Sequence, residues 1–163
     1  MKIGVLSDTH DNVPRIQAAV SRFRQAGVEL VLHGGDFIAP FALNPLEGLS
    51  GKVIGVWGNN DGERLGLTKR AAAIGMEIHL PPYPLEAGGR RILLMHEPHL
   101  IDSLAQAGAF DLLIYGHTHN LEVRRVGKTL ILNPGEVGGW VTGKSTIAIV
   151  DLTTMQEEIV SLA

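Results

Sequence analysis

Five short polar clusters punctuate this chain: Ser7-Asp8-Thr9-His10, Gly34-Gly35-Asp36, Gly58-Asn59-Asn60-Asp61, Met95-His96 and Gly116-His117-Thr118-His119. Each follows a short apolar run; in the last, one Gly separates the His pair from its run. Such runs predict strands buried on both faces. Polar groups at the ends of successive strands converge on one edge of a sheet, where open α/β folds put their ligand sites. The candidate metal ligands in these clusters are Asp8, His10, Asp36, Asn59, His96, His117 and His119. That set suits two divalent cations better than one, because a bridging carboxylate can serve both.

The chain has 163 residues, enough for one domain (1–163) with a proper core. At 45% hydrophobic and 19% charged it reads as globular rather than disordered. The net charge of −3, with no run of Lys or Arg, argues against an extended nucleic-acid surface. A small anionic substrate held by metal needs no such field. The absence of cysteine excludes disulfides and thiolate ligands, leaving His, Asp, Glu, Asn or water for any metal. The start MKIGVLSD lacks the long apolar region of a signal peptide, and no apolar stretch approaches membrane-spanning length. A cytoplasmic protein with no membrane partner is expected, and a homodimer is the default oligomer.

Residues 3–6 predict the first strand. Asn12 is a good helix N-cap and Pro14 is tolerated in the first turn; Ile16, Ala19, Val20 and Phe23 recur at helical spacing until Gly27 stops the helix. Strands at 28–32 and 53–57, short helical turns over 37–49, a helix over 63–74 and a strand over 76–80 complete a strand–helix half. That is the pattern of a mostly parallel sheet. Pro81-Pro82-Tyr83-Pro84 reads as a rigid connector. Strands at 91–95 and 112–115 then flank a helix near 100–107. Closely spaced strands follow at 121–126, 129–132, 146–151 and 157–162, with Gly127-Lys128 as a two-residue hairpin connection. A β-rich half covering a βαβ half predicts two packed sheets with helices outside.

Asp8 and His10 are two apart at a strand end, so extended backbone would put both side chains on one side, free to meet one ion. His117 and His119 repeat that spacing. Oxygen and imidazole donors suit Mn²⁺, Fe, Ni²⁺ or Zn²⁺, with Mn²⁺ taken first. Each cluster alone also reads more plainly. Asp8, Thr9 and Asp36 are cap formers, Asn59-Asn60-Asp61-Gly62 has turn composition, and a lone His96 is commonly a packed imidazole. Five such readings holding together in this order is the less economical account.

In this order the motifs D-x-H, G-D, G-N-x-D, H and G-H-x-H resemble those of the calcineurin-like metallophosphoesterases. The match runs from Asp8 to His119, and Asn133-Pro134-Gly135 looks like the family's N-P-G turn. The short length and the opening KIGVLSDTHDN resemble the small prokaryotic phosphodiesterase branch, to which the retromer small subunit, a binding scaffold, is similar. The resemblance implies a four-layered α/β/β/α sandwich of two mixed sheets flanked by helices. It implies two divalent metal ions, with Asp8, His10 and His119 on one, Asn59, His96 and His117 on the other, and Asp36 bridging. The implied reaction is in-line attack by a metal-held hydroxide on a small phosphodiester. Alternatives are a phosphomonoesterase of the same fold, a non-catalytic interaction scaffold, or a single-metal structural site.

Many family members read G-N-H-[DE] where this chain has Gly58-Asn59-Asn60-Asp61. Asn60 thus stands at a catalytic position without a titratable proton, which implies weak action on unactivated monoesters. His99, after His96-Glu97-Pro98, is either a replacement proton donor or an exposed His capping the next helix. His33 reads as support for a metal ligand or as a core imidazole, and His79 as structural. Glu136 would repel an anionic substrate if it faced the site. Trp140 reads as a stacking surface or, preferably, as cover for the core.

Overall fold

A computed structural model describes residues 1–162. The elements are β1 (Lys2–Leu6), α1 (Val13–Ala26), β2 (Leu30–His33), a 3₁₀ segment (Pro40–Leu46), β3 (Lys52–Val56), α2 (Arg64–Ala73), β4 (Glu77–His79) and β5 (Tyr83–Ala87). They continue with β6 (Arg90–Leu94), α3 (Ile101–Ala107), β7 (Leu112–Ile114), β8 (Leu121–Val126), β9 (Thr129–Pro134), β10 (Thr146–Asp151) and β11 (Gln156–Ser161). Helix α1 begins as its sequence requires. The Asn12 side chain accepts from the Arg15 N–H, and Gly27 closes the helix at φ +68°. Its buried stripe is Ile16, Ala19, Val20 and Phe23. Phe23 packs directly against Gly4 of β1, where a Cβ would come within 2.5 Å of the ring. Burying that ring contributes about 1.5–3 kcal/mol.

Two mixed sheets pack face to face. One has the order β11-β10-β1-β2-β3-β4, with β1 to β4 mutually parallel and β10 antiparallel to β1. The other has the order β5-β6-β7-β9-β8, with β6, β7 and β9 parallel between antiparallel edge strands. Alternation along each strand sets the layers. Ile3, Val5, Leu32 and Val56 face Ile92, Leu94, Ile114 and Leu132 between the sheets. Leu6 and Val31 turn outward against α1, α2 and the 3₁₀ segment. Leu93, Leu113 and Ile131 meet α3 on the opposite face. The result is the expected α/β/β/α sandwich.

The chain divides between the sheets differently from its halves. The β10–β11 hairpin returns to the N-terminal sheet by pairing on β1, so the sheets are not simply successive halves. The second half of the segment read as a connector, Tyr83-Pro84, is the start of β5, in which Pro84 pairs with Leu93. A proline lacks the N–H that a central strand must donate, and β5 is an edge strand, where that is tolerated. His79 is structural: it stacks on Tyr83 at 3.7 Å and bonds Glu77. Among the described residues no helix is long and apolar enough to cross a membrane.

Six parallel strands, β1 to β3 and β6, β7 and β9, end at one edge of the sandwich. Backbone bonds from Val137 to Ser7 (3.0 Å) and from Gly138 to Asp8 (2.9 Å) tie the loop after β9 to the loop after β1 across the two sheets.

Candidate metal centre

All seven sequence-derived candidates lie in loops at that edge. Asp8 and His10 follow β1, Asp36 follows β2, Asn59 follows β3, His96 follows β6, and His117 and His119 follow β7. Five of them adopt left-handed backbone: Asp8 (φ +51°), His10 (+40°), Asp36 (+60°), His117 (+64°) and His119 (+60°). Each such residue costs about 1–3 kcal/mol, and such strain gathers where a site demands it. The expected extended geometry of Asp8 and His10 is therefore replaced by tight turns that bring the donors together. Two glycines permit close approach. A Cβ on Gly58 would stand 2.1 Å from Asp36 Oδ1, and one on Gly116 would stand 2.6 Å from Asp8 Oδ2.

The donors form two overlapping groups, Asp8–His10–His119 and Asp8–Asp36–His96. His10 Nε2 lies 3.4 Å from Asp36 Oδ2 and 3.8 Å from Asp8 Oδ1, and it is buried without a hydrogen-bond partner. His119 Nε2 is 3.6 Å from Asp8 Oδ1, and His96 Nε2 is 3.5 Å from Asp36 Oδ1. Asn59 Oδ1 joins the second group, 2.7 Å from His96 Nε2 and 2.9 Å from His117 Nδ1.

The partners of the imidazoles settle their tautomers. His96 Nδ1 must donate to the Gly34 carbonyl (2.7 Å), and His119 Nδ1 donates to the Glu136 carboxylate (3.0 Å). In a neutral ring the Nε2 lone pair then points at carboxylate or amide oxygens, an arrangement of acceptors facing acceptors. A cation between them resolves it. Ligands at ~2.1 Å from one ion stand about 3.0–3.4 Å apart, close to the spacings found. The residues present thus fit divalent metal. Negative charge supports the same fit. The Asp8 carboxylate first, then Asp36 and Glu136, raise the pKa of His10 against its burial.

Supporting groups fix these donors. Asp61 is buried and its carboxylate accepts from four backbone N–H groups: Asp36 (3.1 Å), Phe37 (2.7 Å), Ile38 (2.9 Å) and Gly58 (2.7 Å). It therefore shapes the Asp36 turn, a role that the turn composition of 58–61 did not reveal. Asn60 clamps Asp36 from outside, its N–H on Oδ1 (2.9 Å) and its amide on Oδ2 (2.7 Å). Asn133 donates to the Gly116 carbonyl and to Thr118, holding the His117 loop. His33 is wholly buried, and burial lowers its pKa to about 3, so it stays neutral. It accepts from Gly35 N–H and contacts Thr9 Oγ1, supporting both loops from the core.

One expectation needs correction, and one conditional reading is answered. The Glu136 carboxylate does not face solvent at the site. It is fully buried, bonded to His119 and to the N–H groups of Trp140, Val141 and Thr142. Burial pushes its pKa up, but the Thr142 and His119 bonds more than offset that and hold the carboxyl below its ordinary value. Nor does Trp140 cover the core: it is 68% exposed, with its indole N–H donating to the His10 carbonyl at the rim of the site. His99 is exposed and bonded to Glu97 on the wall of a cleft that also takes in Asn59 and His96, and the helix it precedes is entered at Leu100 without a side-chain cap.

Comparison with known proteins agrees with this geometry. Residues 1–155 match the calcineurin-like phosphoesterase superfamily domain. The chain belongs to that superfamily, which places it among the phosphoric ester hydrolases. A phosphodiesterase of Methanocaldococcus jannaschii is 38% identical over 154 residues, covering 93% of each chain. A solved archaeal phosphodiesterase superposes with a TM-score of 0.92 at 35% identity, over 99% of this chain and 100% of that one. Vps29 of Entamoeba histolytica, solved with Zn²⁺, shares the fold at 20% identity and a TM-score of 0.73, each chain covered fully.

Proposed function

We propose that this protein is a divalent-metal-dependent phosphodiesterase acting on a small or exposed phosphodiester. The observation that carries the reading is the convergence of imidazole lone pairs, the partnerless His10 Nε2 among them, on the buried carboxylates Asp8 and Asp36. Asp8, His10 and His119 would hold one cation and Asn59, His96 and His117 the other, with Asp36 shared. Cations there supply Lewis acidity toward phosphoryl oxygens and bring the pKa of water near neutrality.

The chain's own groups do the rest. Glu136 and the Gly34 carbonyl keep His119 and His96 in the tautomer whose Nε2 can ligate. Asn60 donates a hydrogen bond at the shared carboxylate and has no proton to give a leaving oxygen. His99 supplies one only by leaving Glu97. Esters whose leaving group needs no proton are therefore favoured, and these include aryl diesters.

The test is hydrolysis of bis(4-nitrophenyl) phosphate by metal-stripped protein re-supplied with Mn²⁺, beside an alkyl phosphate monoester. Diester turnover that returns with metal supports the reading, and none with any divalent ion overturns it. Asn60→His should raise alkyl monoester turnover by at least about tenfold, since a general acid contributes about 10²–10⁴ in rate. An unchanged monoester rate contradicts the leaving-group argument. Glu136→Gln should weaken Mn²⁺ binding by about 10–100-fold, because the group that orients His119 loses its charge. A calorimetric Mn²⁺ titration that matches the parent protein contradicts that role.

A further inference from the structure

Beside the clustered imidazoles the surface opens into a cleft of about 550 Å³, a size typical of small-molecule sites. It shares Gly58, Asn59 and His96 with the candidate centre; the Glu97–His99 pair also lines it, and the rest of its wall, Arg64 apart, is apolar. Trp57 and Leu104 are half-buried there. Leu80 and Leu100 stand on the same wall 70% and 77% exposed. Large apolar side chains exposed in a concavity are costly to hydrate, and on a small protein they mark a surface meant to be covered.

Two further features show that the wall is built rather than incidental. Leu100 is held at φ +55°, a strained conformation for a non-glycine residue, at the turn that leads into α3. Arg64 lies over the Trp57 ring, 5.2 Å from its centroid, and its Nε donates to the Asp61 carbonyl at 3.2 Å. Phe37 meets Trp57 edge-on, at 6.5 Å and 90°. The indole and the guanidinium are thus fixed planar surfaces on the cleft wall, anchored through the same Asp61 that shapes the Asp36 turn.

The geometry points to this cleft as the subsite for one ester group of the substrate, a planar uncharged ring of aryl or nucleobase type. The inference rests on the phosphodiesterase reading, because it places the phosphate at the cluster that the cleft adjoins. Flat indole and guanidinium surfaces favour a ring over a flexible chain. Apolar leucines favour an uncharged group, and Arg64 offers donors to a ring heteroatom. The absence of a proton donor at Asn60 fits the aryl member of this class, since an aryl oxygen departs without one.

The experiment measures inhibition of Mn²⁺-dependent bis(4-nitrophenyl) phosphate hydrolysis by slow diesters, so that binding is read without leaving-group chemistry. In the parent protein the Ki of diphenyl phosphate should lie at least about tenfold below that of dimethyl phosphate, the gain expected from burying one ring. Replacing both exposed leucines, Leu80→Ser with Leu100→Ser, should bring that ratio down to about threefold or less. Leu65→Ser, on a leucine 71% exposed outside the cleft, should leave it intact. Phenyl methyl phosphate and thymidine 5′-methyl phosphate, compared directly, distinguish a simple aryl ester from a nucleoside by the lower Ki. A parent ratio near one, or a ratio that the double variant leaves unchanged, overturns the subsite while the diesterase reading stands. Failure to hydrolyse the diester at all overturns that reading instead.

Discussion

Asp36→Asn is expected to lose more than about 10³-fold of metal-dependent diester turnover while the protein remains folded. The side chain keeps its shape, so the buried site need not collapse. Its chemistry does not survive. Both carboxylate oxygens act as acceptors now, Oδ1 toward the Asn60 N–H and Oδ2 toward the Asn60 amide, with His96 Nε2 and His10 Nε2 at 3.5 and 3.4 Å. An amide replaces one acceptor by a donor, which then opposes either the Asn60 amide or a metal ion. It also removes the negative charge that a shared ligand contributes between two cations. Steady-state rates at saturating Mn²⁺, beside a circular-dichroism melt, make the check. A variant within tenfold of the parent would mean that Asp36 is not shared.

The largest stability effect is expected at Asp61, which contacts no candidate donor side chain directly. Truncation in Asp61→Ala orphans four backbone N–H groups at the Asp36 turn and Gly58. Each buried, unsatisfied donor costs about 1–3 kcal/mol, and water entering the vacated space recovers part of that. A net loss of about 3 kcal/mol corresponds to a Tm lower by about 6–12 °C for a chain of this size. Melting in chelator isolates this from any loss of metal. Asp61→Asn should fall less, because one oxygen still accepts. Turnover should drop in both, since the turn presenting Asp36 is what Asp61 holds. A Tm shift under about 2 °C for Asp61→Ala would show that the turn is set by other contacts.

What the sequence revealed and what it concealed divide along physical lines. The strands and their terminal clusters were legible because a buried strand writes its burial into consecutive residues, as at Val31-Leu32-His33 and Leu112-Leu113-Ile114. Asn12 and Gly27 marked the ends of α1 by local chemistry alone. Strand β5 was concealed by Pro84 and the two prolines just before it, because edge position is a tertiary fact that no local pattern states. The role of Glu136 was concealed for a similar reason. Its partners are His119, seventeen residues away, and a loop that wraps the carboxylate with its own N–H groups. Trp140 carries an apolar ring whose exposure follows from that loop's path. Asp61 had turn composition, and only folding shows that its turn carries a second one. The residue types at the site could be read from the sequence, but the left-handed turns that aim them could not.

We propose that this edge of the sandwich binds two divalent cations and that diester hydrolysis depends on both. Metal-stripped protein titrated with Mn²⁺, with bound metal and bis(4-nitrophenyl) phosphate turnover measured on the same samples, tests it most directly. Two ions per chain are expected, with turnover rising as the second is bound, and a reduced stoichiometry in Asp36→Asn. One ion per chain at full activity, or turnover that persists in stripped protein under chelator, would contradict it.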